Sequence, residues 1–324
     1  MPLEVLLAAG LTAVDLNNVF VAAGDPMALV ERAQEAGFPQ TCCCWTRGLY
    51  GAVHALGLRR VIAVIQGDCS NTHALAEMLR YEGVECVPFD YPYQRDAAAM
   101  GRNLENLAAR LGADMADAQR WQGRLAPLRV AAAEIDRLTW QEGKVSGLEN
   151  HLWLVSTSDF GADADAWHAA ARSFLAQAVE RKPLKQCVRL AFVGVPPIMP
   201  GLYEHLAASG GRVVFNETQR QFSMPGPQGT LAEQYTRYTY PYGIFARVED
   251  VRAECARRAV DGVIHYVQSF CFRRIEDRIL REQVGLPVLT VECDLPGPLP
   301  GQLRTRLEAF VQMLDARKRG RPIF

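Results

Sequence analysis

The sequence predicts an α/β fold made of two parallel-sheet domains joined by a helical connecting segment. Three observations predict it. Short runs rich in Val and Ile alternate with helical periodicity, the pattern of parallel βαβ units. Two groups of such runs flank a long, mostly helical middle. Finally, two of the strand–helix–strand segments resemble one another as a weak internal repeat.

The strands are expected at 59–66 (RRVIAVIQ), 84–89 (VECVPF), 188–195 (VRLAFVGV), 212–217 (RVVFNE), 262–268 (GVIHYVQ) and 287–292 (PVLTVE). Between 94 and 182, apolar residues recur at three- and four-residue steps, so this stretch reads as helix. The KPLKQC segment that follows reads as a hinge into a second α/β unit. The expected division is an N-terminal α/β domain with a helical extension (1–150), a helical connector (151–185) and a C-terminal α/β domain (186–324).

The repeat pairs RVIAVIQGDCSNTHALAEMLRYEGVECVPFDYP with GVIHYVQSFCFRRIEDRILREQVGLPVLTVECDLP. Each copy runs strand, cysteine, helix, glycine, strand, then Asp-x-Pro. Cys69 and Cys271 each stand fourteen residues before a glycine, Gly83 or Gly285, expected to end the helix. The apolar faces expected are Leu75, Met78 and Leu79 in one copy and Ile275, Ile279 and Leu280 in the other.

With 324 residues the chain exceeds one ordinary core. Basic and acidic residues nearly cancel, 35 against 36, and no basic run stands out, which argues against a nucleic-acid or anionic-membrane partner. The N-terminus carries Glu4 and Asp15 without a basic side chain, a poor signal peptide. Its most apolar stretches are short and broken by proline, so a membrane span is not expected. A cytoplasmic protein is the expectation.

Nine cysteines are too few for a disulfide scaffold at this length, and C-x-x-C is absent. Three stand side by side, Cys42, Cys43 and Cys44. Cys69 and Cys271 sit where strands hand over to helices, and Cys293 follows a strand. Ligands of open α/β sheets bind beyond the carboxyl ends of strands. Helix N-termini favour thiolates and anions. These residues therefore read as metal ligands gathered from distant segments, whereas Cys86, Cys187 and Cys255 read as small buried hydrophobes.

GVPPIMPGLYEHLAASGGRVVFNE, DGVIHYVQSFC and GQLRTRLEAFVQML resemble the 2-hydroxyacyl-CoA dehydratase and benzoyl-CoA reductase family. So do the C-x3-R-x3-G of Cys43, Arg47 and Gly51 and the segment GDCSNTHALAEML. The resemblance spans nearly the whole chain, least specifically in the helical middle. It implies two flavodoxin-like (Rossmann-like) domains, with three cysteines holding a [4Fe–4S] cluster in the cleft between them. Carried over by motif, those ligands are Cys43, Cys69 and Cys271. The extra thiols Cys42, Cys44 and Cys293 depart from that pattern and are similar to the double-cubane branch, whose [8Fe–9S] centre takes six cysteines.

The resemblance further implies a separate ATP-hydrolysing iron–sulfur reductase as electron donor, and this chain has no G-x-x-x-x-G-K-[ST] loop of its own. The expected activity is ATP-dependent reduction of a small-molecule substrate by a homodimer. The alternatives are a [4Fe–4S] subunit of a 2-hydroxyacyl-CoA dehydratase or aroyl-CoA reductase, or a non-catalytic electron relay. FNETQRQFSMPG reads as the richest polar loop, with Glu217 as acid and Arg220 holding an anion or cluster sulfur. Gln268 is a further catalytic candidate. His265 reads as a core histidine, and the run YTRYTYPYG (235–243) reads as packing on the other domain or on a second subunit. Arg212, Arg220, Arg237 and Arg273 are scattered candidates for CoA phosphates.

Overall fold

A computed structural model describes residues 1–67, 69–185, 187–226, 229–238 and 243–320. The chain begins with helices α1 (Leu3–Ala8), α2 (Leu16–Ala22), α3 (Pro26–Glu35) and α4 (Cys44–Ala55). Then come β1 (Arg60–Gln66), α5 (Ser70–Tyr81), β2 (Glu85–Asp90) and α6 (Ala97–Leu111). The middle is α7 (Met115–Arg137), a π-helical turn (Leu138–Glu142), α8 (Gly147–Val155) and α9 (Ala164–Ala178). Next are β3 (Val188–Gly194), α10 (Leu202–Ala208), β4 (Gly211–Asn216), α11 (Glu217–Ser223) and α12 (Leu231–Arg237). The last elements are α13 (Ile244–Arg257), β5 (Gly262–Val267), α14 (Phe272–Gln283), β6 (Val288–Glu292) and α15 (Gly301–Lys318). Each strand lies within one residue of its expected bounds, because each is a β-branched run closed by polar or glycine residues. Among the described residues no helix is long and apolar enough to cross a membrane.

Two compact units interleave along the chain. The first takes 1–130, 156–169 and 221–243, and the second takes 131–155, 170–220 and 244–324. The crossings at 130 and 169 fall inside α7 and α9. The segment read as a hinge, 182–187, lies within the second unit.

In the first unit β1 and β2 pair in parallel. Alternation sends Val61 and Cys86 to one face, against Tyr50, Leu75 and Leu79 of α4 and α5. Val87 and Phe89 point the other way, against Met100 and Leu104 of α6 and Tyr235 of α12. Both faces are thus coated, as parallel strands require. The helices have strong start signals. Asp96 accepts from the N–H groups of Ala98 and Ala99 to start α6, and Thr230 and Glu233 form a capping box on α12. Helix α4 packs tightly on α3, since a Cβ at Gly51 would lie 2.2 Å from the Leu29 carbonyl oxygen.

In the second unit the order β4-β3-β5-β6 is parallel throughout. One face is covered by α13 and α14, through Val248, Val251, Cys255 and Leu280. Helices α10 and α15 lie along β3, β4 and β6. The burial of Cys86 and Cys255 in the two cores agrees with their structural reading, whereas Cys187 is only half-buried.

The repeat is visible in the geometry. Helices α5 and α14 are both twelve residues long, with Cys69 and Cys271 as their N-cap residues. Gly83 (φ +87°) and Gly285 (φ +75°) follow them in the left-handed region, where a side chain would be strained. The helical faces do not match as expected. Ile275 is 84% exposed, and α14 buries Arg273, Asp277 and Leu280 instead. Its charged residues turn inward because partners wait there, a pattern that hydrophobic spacing cannot register.

Candidate functional site

In the first unit the three adjacent cysteines span a turn into a helix. The Cys42 N–H donates to the Pro39 carbonyl (2.9 Å), Cys43 is the N-cap residue of α4, and Cys44 opens the helix. This bend separates their environments. Cys44 is 1% exposed, while Cys42, Cys43 and Cys69 are half-buried. Burial pushes the Cys42 thiol up, the nearby Arg47 charge draws it down and Cys69 pushes it up again. Cys42, Cys69 and Arg47 therefore lie within electrostatic reach of one another. The Cys69 sulfur also meets Thr72 Oγ1 at 3.6 Å.

In the second unit Cys271 caps α14, and its N–H donates to the Gln268 carbonyl (3.0 Å). The loops after β5 and β6 are tied together. The Tyr266 hydroxyl donates to the Cys293 carbonyl (2.8 Å), and the Ser269 N–H donates to Asp294 Oδ1 (2.8 Å). The Cys293 sulfur is half-buried, 3.4 Å from the Leu295 carbonyl oxygen. Gln268 is buried immediately before this junction.

The stretch read as a polar loop is largely helix α11, and its polar side chains pack inward. Asn216 bonds to Asn150 and Tyr203 (both 2.8 Å), and Gln219 meets His151 Nδ1 at 2.6 Å. Burial holds the His151 imidazole down at about 4, so it is neutral at pH 7. Glu217, 3% exposed, accepts from Arg247 Nε (2.6 Å), Arg247 Nη2 (2.8 Å) and the Gly194 N–H (2.8 Å). Burial raises its carboxyl, but the Arg247 guanidinium and these hydrogen bonds prevail and hold it below the usual range. An acid needs a proton, and this pairing leaves Glu217 ionised at neutral pH. The pairing with Arg247 disfavours the acid role expected of Glu217. Arg220 is likewise engaged, with Nε 3.2 Å from Glu254.

Sequence reasoning missed Glu276. It lies on α14, five residues beyond Cys271, with Arg273 at 3.6 Å and Arg247 at 4.0 Å. Burial pushes its carboxyl up, and one buried oxygen has no hydrogen-bond partner. Its only sequence signal was position, in the helix that starts at Cys271. His265 is a core residue as read, with Nδ1 2.7 Å from Asp277 and burial lowering it to about 4. Tyr235 and Tyr238 correct the expectation for the aromatic run, because they pack in the core of their own unit. Residues 239–242 of that run lie outside the described residues. Of the CoA-phosphate candidates, Arg273 is buried in the α14 charge cluster.

Among the described residues no three His, Cys, Asp or Glu side chains gather as a metal site by themselves. The donor chemistry nevertheless suits iron and sulfide. Cys43, Cys69 and Cys271 each sit at the start of a twelve-residue helix, and thiolates are the usual ligands of iron–sulfur clusters. The first-turn N–H groups of those helices favour anionic sulfur.

The family model described as 2-hydroxyglutaryl-CoA dehydratase, D-component, matches residues 1–314. No curated protein matches the chain. With nearly its whole length matched, the chain belongs to the 2-hydroxyglutaryl-CoA dehydratase D-component family.

Proposed function

We propose that this member of a dehydratase-component family is an iron–sulfur reductase for small molecules, with Cys43, Cys69 and Cys271 as the core cluster ligands. The observation that carries the reading is their shared placement, at the first residue before three helices that follow strand ends or a tight turn. Cys42, Cys44 and Cys293 are the additional ligands of a double-cubane [8Fe–9S] centre. Such a group, when bound, supplies low-potential electrons one at a time. Electrons come from a separate activator-type ATPase with its own cluster, and the working form is a homodimer.

The chain's own residues have separable tasks. Glu276, whose carboxyl burial pushes up while Arg273 and Arg247 draw it down, is the residue proposed to exchange a proton with the substrate. Glu217 and Arg247 fix the β3 end through the Gly194 N–H. Gln268, buried before Cys271, orients polar groups at the β5 end. Arg220 steadies α11 on α13 through Glu254.

One observation favours the single-cubane alternative, a [4Fe–4S] dehydratase subunit: Cys44 is buried in the first turn of α4. Anaerobic iron and sulfide analysis decides between them. About eight irons per chain support the double cubane, about four the single one, and none would overturn both. Turnover of small substrates against 2-hydroxyacyl-CoA, with ATP and the cognate ATPase, then separates reductase from dehydratase.

A further inference from the structure

Among the described residues, Arg47 is a buried cation without an anion. It is 2% exposed on α4, and its Nε has no hydrogen-bond partner. Its backbone N–H serves the helix by donating to the Cys43 carbonyl (3.2 Å). The guanidinium itself forms no ion pair with any described residue. The other deeply buried arginines are matched: Arg129 by Glu4, Arg247 by Glu217, Arg258 by Asp136 and Glu254. A guanidinium left buried without a counter-charge is unfavourable, as when a buried pair loses one partner.

The fold shows where the missing negative charge belongs. Side chains on a helix lean toward its N-terminus, so Arg47 leans over the turn that carries Cys42 and Cys43. Its charge is felt at Cys42, which also feels Cys69. Gly48 and Gly51 fix the helix in place, because a Cβ at either would strike Phe20 or the Leu29 carbonyl. The helix therefore cannot easily shift to release the cation to solvent. Two independent features meet here: a helix start, and a nine-tenths-buried cation, unmatched among the described residues, whose charge reaches the Cys42 thiol beside that start.

We infer that Arg47 is the counter-charge of the anionic cluster held at the start of α4, and that it tunes how readily that cluster accepts an electron. The inference rests on the iron–sulfur reading above. Accepting an electron adds one negative charge, so a fixed adjacent cation stabilises the reduced form more than the oxidised one. Arg47 is a positioning residue: it binds neither substrate nor iron.

The test uses full-length wild type, R47Q and R47K, reconstituted anaerobically with iron and sulfide. Iron is quantified, and the midpoint potential is read by EPR during titration with titanium(III) citrate. R47Q should keep its iron and shift the reduced-to-oxidised ratio at fixed potential about tenfold toward oxidised, about 59 mV for one electron. R47K, which keeps the charge, should shift less. Full iron with an unchanged potential in R47Q would overturn the role of Arg47 alone. Where R47Q fails to hold iron, recovery in R47K supports the counter-charge and failure there overturns it. A wild type that binds no iron would overturn the cluster reading and this inference with it.

Discussion

Replacing Glu217 by Gln tests whether this carboxylate is structural. Its oxygens receive three N–H donors, and two come from Arg247, a residue with 0% exposure. Gln keeps an acceptor for the Gly194 N–H but removes the charge opposite the guanidinium. The nearest remaining carboxylate to Arg247 is Glu276, 4.0 Å away and already beside Arg273. Stranding a buried charge this way costs about 3–5 kcal/mol, a large part of the roughly 5–15 kcal/mol that holds a domain folded. Urea unfolding should show that loss in E217Q, and R247M should resemble it. The double variant should cost less than the sum of the two, since it removes both charges.

The pH dependence has a definite sign. The native Glu217 carboxyl lies below its unfolded value of about 4.3. Its stabilisation is therefore fully present above that value and is lost as pH falls through the lowered native one. E217Q should accordingly lose less stability on acidification than wild type. A cost below about 1 kcal/mol, together with lost turnover at unchanged stability, would refute the structural role and restore the acid.

Asp136→Ala should destabilise the second unit by about 1–3 kcal/mol in urea unfolding, because Arg258 loses the carboxylate held at 2.6 and 2.7 Å and keeps only Glu254 as a counter-charge. Gly51→Ala should lower the stability of the first unit by about 1–3 kcal/mol, as its Cβ meets the Leu29 backbone. Cys255→Ala should cost about 1 kcal/mol of stability and leave iron content unchanged, the thiol being packed in the core. Cys293→Ala should lower iron content if the second cubane is present, and unchanged iron would assign Cys293 to packing.

The strands were legible because each needs only a local run of β-branched residues, and parallel strands buried on both faces make that run nearly continuous. Cys69 and Cys271 were legible because the repeat ties each thiol to a glycine stop, and the left-handed glycines realise it. The roles of charged residues were not. Glu217 looked like an acid until Arg247, thirty residues on, appeared against it. Ile275 looked like a core residue by analogy with Leu75, yet the inward positions of α14 belong to Arg273 and Asp277. Asp277 finds His265 and Thr290 from neighbouring strands. Such pairs are set by which strands become neighbours, and hydrophobic period carries no record of that. The interleaving of the two units escaped for the same reason.

That interleaving governs the order in which the protein is made. One coat of the β1–β2 sheet is completed by Met224, Leu231 and Tyr235, and the Tyr235 hydroxyl closes on the carboxylate of Glu4 (2.6 Å). The ribosome has therefore synthesised over two hundred residues before the opening helix finds its final neighbour. Until then a nascent chain presents an uncovered apolar surface. A fragment ending near residue 150 should clump unless the missing α12 segment is added back as a peptide.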